Sequence, residues 1–291
     1  MNKVLPLPDA IERHLPDGVG LLAVGGMHLH NNPMALVRET VRQGRHVRRL
    51  LTSPCGAFNA DLLIAAGLVE EIATSYVGFE HLGLAPAFRR AAEDGSLRVL
   101  ECDEAYITHG LNAGAGGLPF APLPQGLEVS DVWKANPESF RLVEDPFTGS
   151  PVLAGAPLRP DVALIHAAEA DTAGNAVVGG AHFVDRVMAM AARTVVLQVE
   201  RVVPTESISS HPVGTTIPGF LVHAVVEVPG GCHPTASHGH YQVDEDHLRR
   251  YLALAGGSEG PEGYVERYVR GTDEAAYLAA QRPLAVGERR S

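Results

Sequence analysis

The sequence predicts an α/β fold, a mainly parallel sheet with helices on both faces. Short apolar runs recur along the chain, and they are apolar throughout rather than alternating, as in strands covered on both sides. Helical patterns stand between these runs, and strand–helix alternation is typical of parallel sheets. The predicted strands cover residues 20–24, 47–51, 72–77, 97–100, 162–165, 194–199 and 221–228.

The helix after the first strand has clear start and stop signals. Asn32 is a suitable N-cap, Pro33 fits the first helical position, and Gly44 suits the residue after the end. Glycines also end two later helical patterns. The other predicted helices cover residues 59–66, 86–94, 183–192, 244–255, 261–270 and 273–281.

The length allows one or two domains, and we expect a single domain over residues 1–291. The strand–helix alternation stops at about 119–160, a proline-rich stretch with little periodicity. We predict that this stretch is an irregular excursion within the domain rather than a linker between domains. The tail from about residue 244 to 291 is predicted to be helical.

Composition excludes several classes of protein. The 291 residues include 23 Lys+Arg and 34 Asp+Glu, a formal charge of −11, which disfavours general binding to nucleic acid or anionic lipid. No apolar stretch approaches the roughly 18 residues of a spanning helix. The N-terminal residues lack a signal-peptide pattern, and three distant cysteines make no disulfide framework. We therefore expect a cytoplasmic protein.

A glycine-rich turn after the first strand is the most informative motif. Gly25-Gly26 ends the apolar run, and Met27 to Asn32 form a polar loop before Pro33. Glycines let backbone N–H groups approach a ligand oxygen, and a helix N-terminus adds partial positive charge. The turn could hold an oxyanion, or it could be a tight strand–helix connection without a ligand. It lacks the dinucleotide and P-loop spacings.

The same stretch resembles the first signature of family I coenzyme A (CoA) transferases. That signature has an Asp-Gly, an apolar run, Gly-Gly-Phe and a later proline. Here Met27 replaces the phenylalanine, Asn31 replaces a usual glycine, and the apolar run is one residue longer. The resemblance is to the A (alpha) subunit of the glutaconate CoA-transferase type. It continues through residues 75–80, 88–95, 117–120, 161–167 and 218–234.

The resemblance implies the CoA-transferase fold and half of an active site. Family I enzymes pass CoA between acids through a glutamate in a Ser-Glu-Asn/Gly motif of a homologous B (beta) subunit. This chain has no Ser-Glu-Asn, and Ser258-Glu259-Gly260 lacks the apolar strand residues that should follow. The resemblance therefore implies a heterodimer or heterotetramer, with acyl-CoA and a small carboxylic acid as substrates and no permanently bound cofactor. Gly25 and Gly26 would supply an oxyanion loop.

Acidic residues follow two predicted strands, at the sheet edge where ligands usually bind. Glu80 follows the third strand, and Glu101, Asp103 and Glu104 follow the fourth. Carboxyl groups crowded in an apolar pocket can serve as general acids or bases, although they could also be solvated or cap a helix. The run Glu101 to Glu104 resembles one in the alpha subunits of steroid-ring-cleaving CoA hydrolases. In that branch an acid of this subunit is thought to activate water.

Histidine is abundant, with His28 and His30 in the glycine loop and His233, His238 and His240 near the last strand. Their spacing matches no common zinc pattern, and we expect no metal site. The histidines could be structural or could hydrogen-bond a substrate. No nucleophile-elbow motif of triad hydrolases occurs, and a nucleophilic Cys55 would require an activated thiol.

The predicted activity is CoA transfer between carboxylic acids by a heteromer. Two other interpretations stay open: an acyl-CoA or ring-opening hydrolase that uses Glu104 as base, and a non-catalytic binding subunit. The predicted catalytic groups are Gly25, Gly26 and Glu104. The predicted substrate contacts are His28, His30, Asn31, Asn32, Glu80 and Glu101.

Overall fold

A computed structural model of the chain describes residues 2–180 and 182–281. Its main sheet contains strands β1 (Val19–Val24), β2 (Val47–Thr52), β4 (Val69–Thr74), β6 (Arg98–Glu101), β10 (Val162–Ala170), β11 (Ala176–Val177), β12 (Thr194–Val202) and β13 (Ala224–Glu227). Seven of them are parallel, in the order β13-β12-β10-β1-β2-β4-β6, and the short β11 pairs antiparallel to β10. Two-residue strands β3 (Cys55–Gly56) and β5 (Tyr76–Val77) pair separately.

The prediction of a mainly parallel α/β sheet is confirmed. The predicted strand over 72–77 is divided, because the Thr74 hydroxyl donates to the carbonyl of Tyr76 at 2.9 Å and turns the chain at Ser75. The last predicted strand is shorter than expected, since Gly219–Leu221 forms a 3₁₀ turn before β13.

Helices cover both faces of the sheet, so each strand buries side chains on both sides. In β1, Leu22 and Val24 pack in one apolar core and Ala23 packs in the other. The helices are α1 (Leu7–His14), α2 (Met34–Arg42), α3 (Phe58–Ala65), α4 (Pro86–Asp94), α5 (Glu104–Ala115), α6 (Val132–Ala135), α7 (Asp185–Ala191), α8 (Thr205–Ser209), α9 (Glu245–Ala255), α10 (Gly260–Val265) and α11 (Glu274–Gln281). None of these helices has the length and apolar composition needed to cross a membrane.

The prediction that Asn32 caps the helix after β1 is wrong. Helix α2 begins at Met34, the residue at its N-cap position is Pro33, and no side chain of a described residue caps it. The Asn32 amide is turned back into the preceding loop, where it donates to the carbonyls of His28 and His30 at 2.9 Å each. Asn32 thus stabilises the loop rather than the helix.

The proline-rich stretch contains regular structure. Strands β7 (Ala121–Pro122), β8 (Phe140–Glu144) and β9 (Pro151–Gly155) form an antiparallel sheet in the order β7-β9-β8. Four of the five residues of the edge strand β8 are exposed, so it has no buried face that would give an alternating apolar pattern. The sequence therefore carried little signal for this sheet.

The last described helix is attached to the core by a buried arginine. Arg38 on α2 is fully buried, and its guanidinium donates to both carboxylate oxygens of Glu274 on α11. The same guanidinium donates to the carbonyl of His233 at 2.6 Å and lies 4.1 Å from the ring centre of Tyr277. The predicted tail residues 282–291 lie outside the described residues.

We expect Arg38→Ala to lower the free energy of unfolding by about 3–5 kcal/mol, because it leaves the Glu274 carboxylate without its main buried partner. The matched control is Arg13→Ala, which removes a pair with Asp9 whose side chains are 60% and 43% exposed. That change should cost less than about 1 kcal/mol. Urea unfolding measures both values, and equal losses would contradict the role given to Arg38.

Candidate active site

The carboxyl ends of the parallel strands bring several loops to one edge of the sheet. The glycine turn follows β1, Cys55 follows β2, Tyr76 and Glu80 follow β4, and Glu104 opens α5 just after β6. The acidic residues could be predicted at this edge because each follows a predicted strand. The structure brings some of them into contact.

Five residues form what we call the edge cluster: His28, Cys55, Tyr76, Glu80 and Glu104. The Cys55 thiol donates to Glu104 Oε1 at 3.7 Å, and His28 Nδ1 lies 3.6 Å from Glu80 Oε1. The His28 N–H donates to the Cys55 carbonyl at 3.1 Å, and Cys55 pairs with Tyr76 in the short sheet. The side-chain contacts in the cluster therefore join an acid to a thiol and an acid to an imidazole.

Cys55 is a neutral proton donor in this setting. Burial, followed by the nearby carboxylates of Glu104 and Glu80, raises the pKa of its thiol to about 11. A thiol with this pKa is protonated at neutral pH, whereas a nucleophilic cysteine needs a depressed pKa. The structure therefore gives Cys55 no activated thiol.

Strained backbone is concentrated at the site. Among the described residues outside glycine, positive φ angles occur at His28 (49°), Asn31 (55°) and Glu80 (53°). Such conformations cost about 1–3 kcal/mol each and persist where the surroundings enforce them, often at functional sites. Two of the three residues belong to the edge cluster, and the third lies in the same loop as His28.

The prediction that the amides of Gly25 and Gly26 face a ligand is wrong. The Gly25 N–H donates to the carbonyl of Leu164 at 2.9 Å, and the Gly26 N–H donates to Asp185 Oδ1 at 3.0 Å. Both glycines are buried. Their lack of a side chain serves packing, because a Cβ at Gly25 would lie 2.7 Å from Asp185 Oδ1. A Cβ at Gly26 would lie 2.8 Å from the Asn31 carbonyl oxygen.

Asn31 and Asn32 are also structural in this chain, contrary to their prediction as substrate contacts. Their exposed fractions are 2% and 0%. Asn31 Nδ2 donates to the Gly179 carbonyl at 2.7 Å, and Asn31 Oδ1 accepts from the N–H of His238 at 3.3 Å. Together the two amides hold the glycine loop against neighbouring segments.

His30 and Glu101 are exposed and stay predictions as substrate contacts. Glu101 lies on a groove of about 460 Å³ beside the edge cluster, which we call the β6 groove. The groove is lined by Thr74, Ser75, Tyr76, Val77, Leu84, Phe88, Val99, Glu101, Cys102, Asp103 and Val132. Tyr76 belongs to both the groove and the cluster, so the two features are continuous.

Asp185 is a residue of this region that the sequence analysis missed. It is buried at the start of α7, and burial raises the pKa of its carboxyl to about 7 although the Gly26 N–H partly offsets this. Its Oδ2 is buried and has no hydrogen-bond partner among the described residues. An acid in the first turn of a helix is common, and so no sequence signal indicated its contact with the glycine turn.

Two buried groups within the described ranges have potential metal-ligand atoms within 4.8 Å of one another. They are His166, Glu200 and Cys232, and His233, Asp244 and His247. These side chains are hydrogen-bonded to the protein, as where His166 meets Ser237 at 3.1 Å and His247 meets Tyr264 at 2.6 Å. The groups therefore have the character of buried polar networks.

Glu259, in the one Ser-Glu-Gly run, belongs to the tail rather than to the edge cluster. Its carboxylate pairs with Arg267 at 3.1 Å, and both side chains are 53% exposed. These surroundings agree with leaving Glu259 without a catalytic role.

The fold and the site together define an α/β protein whose acidic site is open to solvent at the carboxyl edge of a parallel sheet. Comparison with known proteins places it further. The family model described as coenzyme A transferase matches residues 6–228. The chain belongs to this family, within the A (alpha) subunits of the family I enzymes.

Several relatives align along most of the chain. It is 33% identical to the A subunit of 3-oxoadipate CoA-transferase from Pseudomonas knackmussii, over 97% of this chain and 98% of that protein. It is 33% identical to the cholesterol ring-cleaving hydrolase IpdA subunit of Mycobacterium tuberculosis, over 96% and 97%. It is 36% identical to an uncharacterized protein of Archaeoglobus fulgidus, over 94% of this chain but only 60% of that longer protein.

The similarity extends to solved structures. The crystal structure of glutaconate CoA-transferase from Acidaminococcus fermentans superposes with a TM-score of 0.88 at 30% identity. It covers 96% of this chain and 93% of that one. The fold is therefore that of a CoA-transferase subunit.

We expect Asp185→Asn to gain stability relative to the native protein as pH rises. The Asp185 carboxyl has a pKa of 3.8 when unfolded and about 7 when folded, so its contribution is fully present below about pH 4 and is lost through pH 7. Asparagine mimics the protonated form and does not titrate. The difference in unfolding free energy should rise by about 2 kcal/mol between pH 5 and pH 8.

Asp131→Asn is the control for this measurement. Asp131 is exposed, and hydrogen bonding from Lys134 lowers the pKa of its carboxyl, so nothing at this position titrates between pH 5 and 8. Denaturation by urea at both pH values gives the comparison. A pH-independent effect of Asp185→Asn would refute the buried, protonated carboxyl.

Proposed function

We propose that this chain is the alpha subunit of a heteromeric enzyme that transfers CoA between carboxylic acids. The observation that carries the proposal is the openness of the edge cluster. Its His28 and Glu80 side chains are 27% and 37% exposed at the sheet edge, and Glu104 is exposed beside them. A group of acids that faces solvent on one side is suited to completion by a second subunit.

The partner would be a homologous B subunit, which would bring the glutamate that attacks the acyl-CoA thioester. Support comes from relatives that are named as alpha-type subunits of CoA-transferases. The attacking carboxylate forms an anhydride with the acyl group and releases CoA as a thiolate. The thiolate then attacks the glutamyl carbonyl, which frees the first acid and leaves CoA on the glutamate for the second acid.

This chain would bind and orient the reacting groups. The Glu104 carboxylate accepts a hydrogen bond from Cys55, and this contact limits its side-chain freedom. His28 lies close to Glu80 and presents a ring nitrogen that can hydrogen-bond the carboxylate of an incoming acid. Because the Gly25 and Gly26 amides are engaged elsewhere, we assign them no role as oxyanion donors.

A second candidate is hydrolysis of an acyl-CoA or of a ring ketone, with Glu104 as general base. The observation that favours it is that the Glu104 carboxylate is exposed and has no ion pair with a described residue. A carboxylate in this state can take a proton from water. The similarity to the IpdA subunit, which is named a ring-cleaving hydrolase, supports this alternative.

We expect borohydride to inactivate the complex of this chain with its B subunit when an acyl-CoA is present. A transferase accumulates a glutamyl thioester, which borohydride reduces irreversibly. The control is the same treatment without acyl-CoA, which should leave activity unchanged. Full activity after treatment with acyl-CoA would count against the transferase and in favour of the hydrolase.

Glu104→Ala separates the three interpretations through kcat. A hydrolase that uses Glu104 as base should lose about 10²–10⁴-fold in kcat, the usual contribution of a general base. A transferase should be weakened but still active, because its nucleophile would lie on the B subunit. If the chain only binds, no substitution should cost more than about tenfold, roughly 1.4 kcal/mol.

The matched control is Glu12→Ala, which removes an exposed carboxylate on α1, away from the edge cluster. It should leave kcat unchanged in every case. Complete loss of transfer in Glu104→Ala, with the glutamate of the B subunit intact, would contradict the transferase proposal.

A further inference from the structure

The β6 groove has the size and the walls of a binding site for an apolar group. Its volume of about 460 Å³ falls within the range of small-molecule pockets. Leu84, Phe88, Val99 and Val132 supply apolar surface from four different segments of the chain. Leu84 is 59% exposed although it is a large aliphatic residue.

Tyr76 links the groove to the edge cluster. Its ring lines the groove, and the ring centre lies 6.0 Å from that of His28. Gly78 allows this placement, because a side chain at that position would collide with the Tyr76 hydroxyl. An acyl group whose reacting carbon lies at the edge cluster can therefore extend past Tyr76 into the groove.

The charged side chains along the groove are acidic. Glu101 and Asp103 belong to its lining, and the described residues that line it include no lysine, arginine or histidine. Asp103 accepts the N–H of Tyr106 and caps α5, while the Glu101 side chain makes no ion pair with a described residue. Glu80 and Glu104 add two carboxylates nearby. A second carboxylate on the acyl group would meet repulsion here and no matching cation from this lining.

We propose that the β6 groove selects an acyl-CoA whose acyl group ends in an alkyl chain or ring without a distal carboxylate. This inference rests on the proposed function, because it names the acyl class that the same site accepts. Apolar burial against the groove walls favours such a group, and the acidic lining disfavours its dicarboxylic analogue.

The test uses hexanoyl-CoA and adipyl-CoA, which have the same number of acyl carbons and differ at the terminal group. Isothermal titration of the complex of the full chain with its B subunit should give hexanoyl-CoA binding at least about tenfold tighter. Glu101→Arg should reverse this preference, because it places a cation in the groove. Glu12→Arg makes the same charge change on α1 and should leave the ratio unchanged.

A filling substitution tests the groove by shape. Val99→Phe should lower the ratio of hexanoyl-CoA to acetyl-CoA affinity by about tenfold, because the longer chain needs the occupied space. Equal affinity for adipyl-CoA and hexanoyl-CoA, or a ratio unchanged in both Glu101→Arg and Val99→Phe, would overturn the inference while CoA-thioester binding stands. Failure to bind any of the three thioesters would instead reject the proposed function, and this inference with it.

Discussion

The arrangement of the site depends on how tightly the turn after β1 is packed. Asp185 on α7 approaches Gly25 and accepts the N–H of Gly26, and on the other side Asn32 holds the carbonyls of the following loop. Little space is left for side chains at the two glycines. This packing forces the next residues outward, so that His28 adopts a left-handed conformation and its N–H meets the Cys55 carbonyl. The loop is therefore positioned from inside the protein.

This packing changes what the glycines do. A glycine pair between a strand and a helix suggests free N–H groups for an anion, but free amides also require open space beside them. Here that space is filled by a buried carboxyl whose pKa is raised to about 7 by burial. Side chains, chiefly those of Glu104, Glu80 and His28, form the chemically active surface instead. The chain resembles its relatives in fold while its site is defined by contacts between side chains.

Much of the fold was predictable because it follows from local signals. Buried parallel strands are apolar throughout, and Gly44 and Gly95 have the positive φ angles of helix ends at 62° and 78°. The acids at strand ends could be placed at one sheet edge for the same reason. The small antiparallel sheet was missed because the exposed face of β8 carries no alternating pattern.

The contacts within the site were not predictable in the same way, because they join residues far apart in the chain. Asp185 lies 159 residues from Gly26, and Cys55 lies 49 residues from Glu104. No local pattern records such distances. Asn31 and Asn32 show the same limit, since polar residues in a loop suggest solvent or ligand, whereas their amides are used up inside the fold. Burial of polar groups is decided by tertiary packing.

The buried arginine of α2 also has a consequence for synthesis of the protein. Arg38 and Glu274 are 236 residues apart, so the guanidinium emerges from the ribosome long before its carboxylate partner. Until then, closing the core around Arg38 would enclose a lone cation, which is strongly unfavourable. Completion of that region of the core must therefore wait for almost the whole chain. The arrangement couples the first third of the polypeptide to its last helix in time as well as in space.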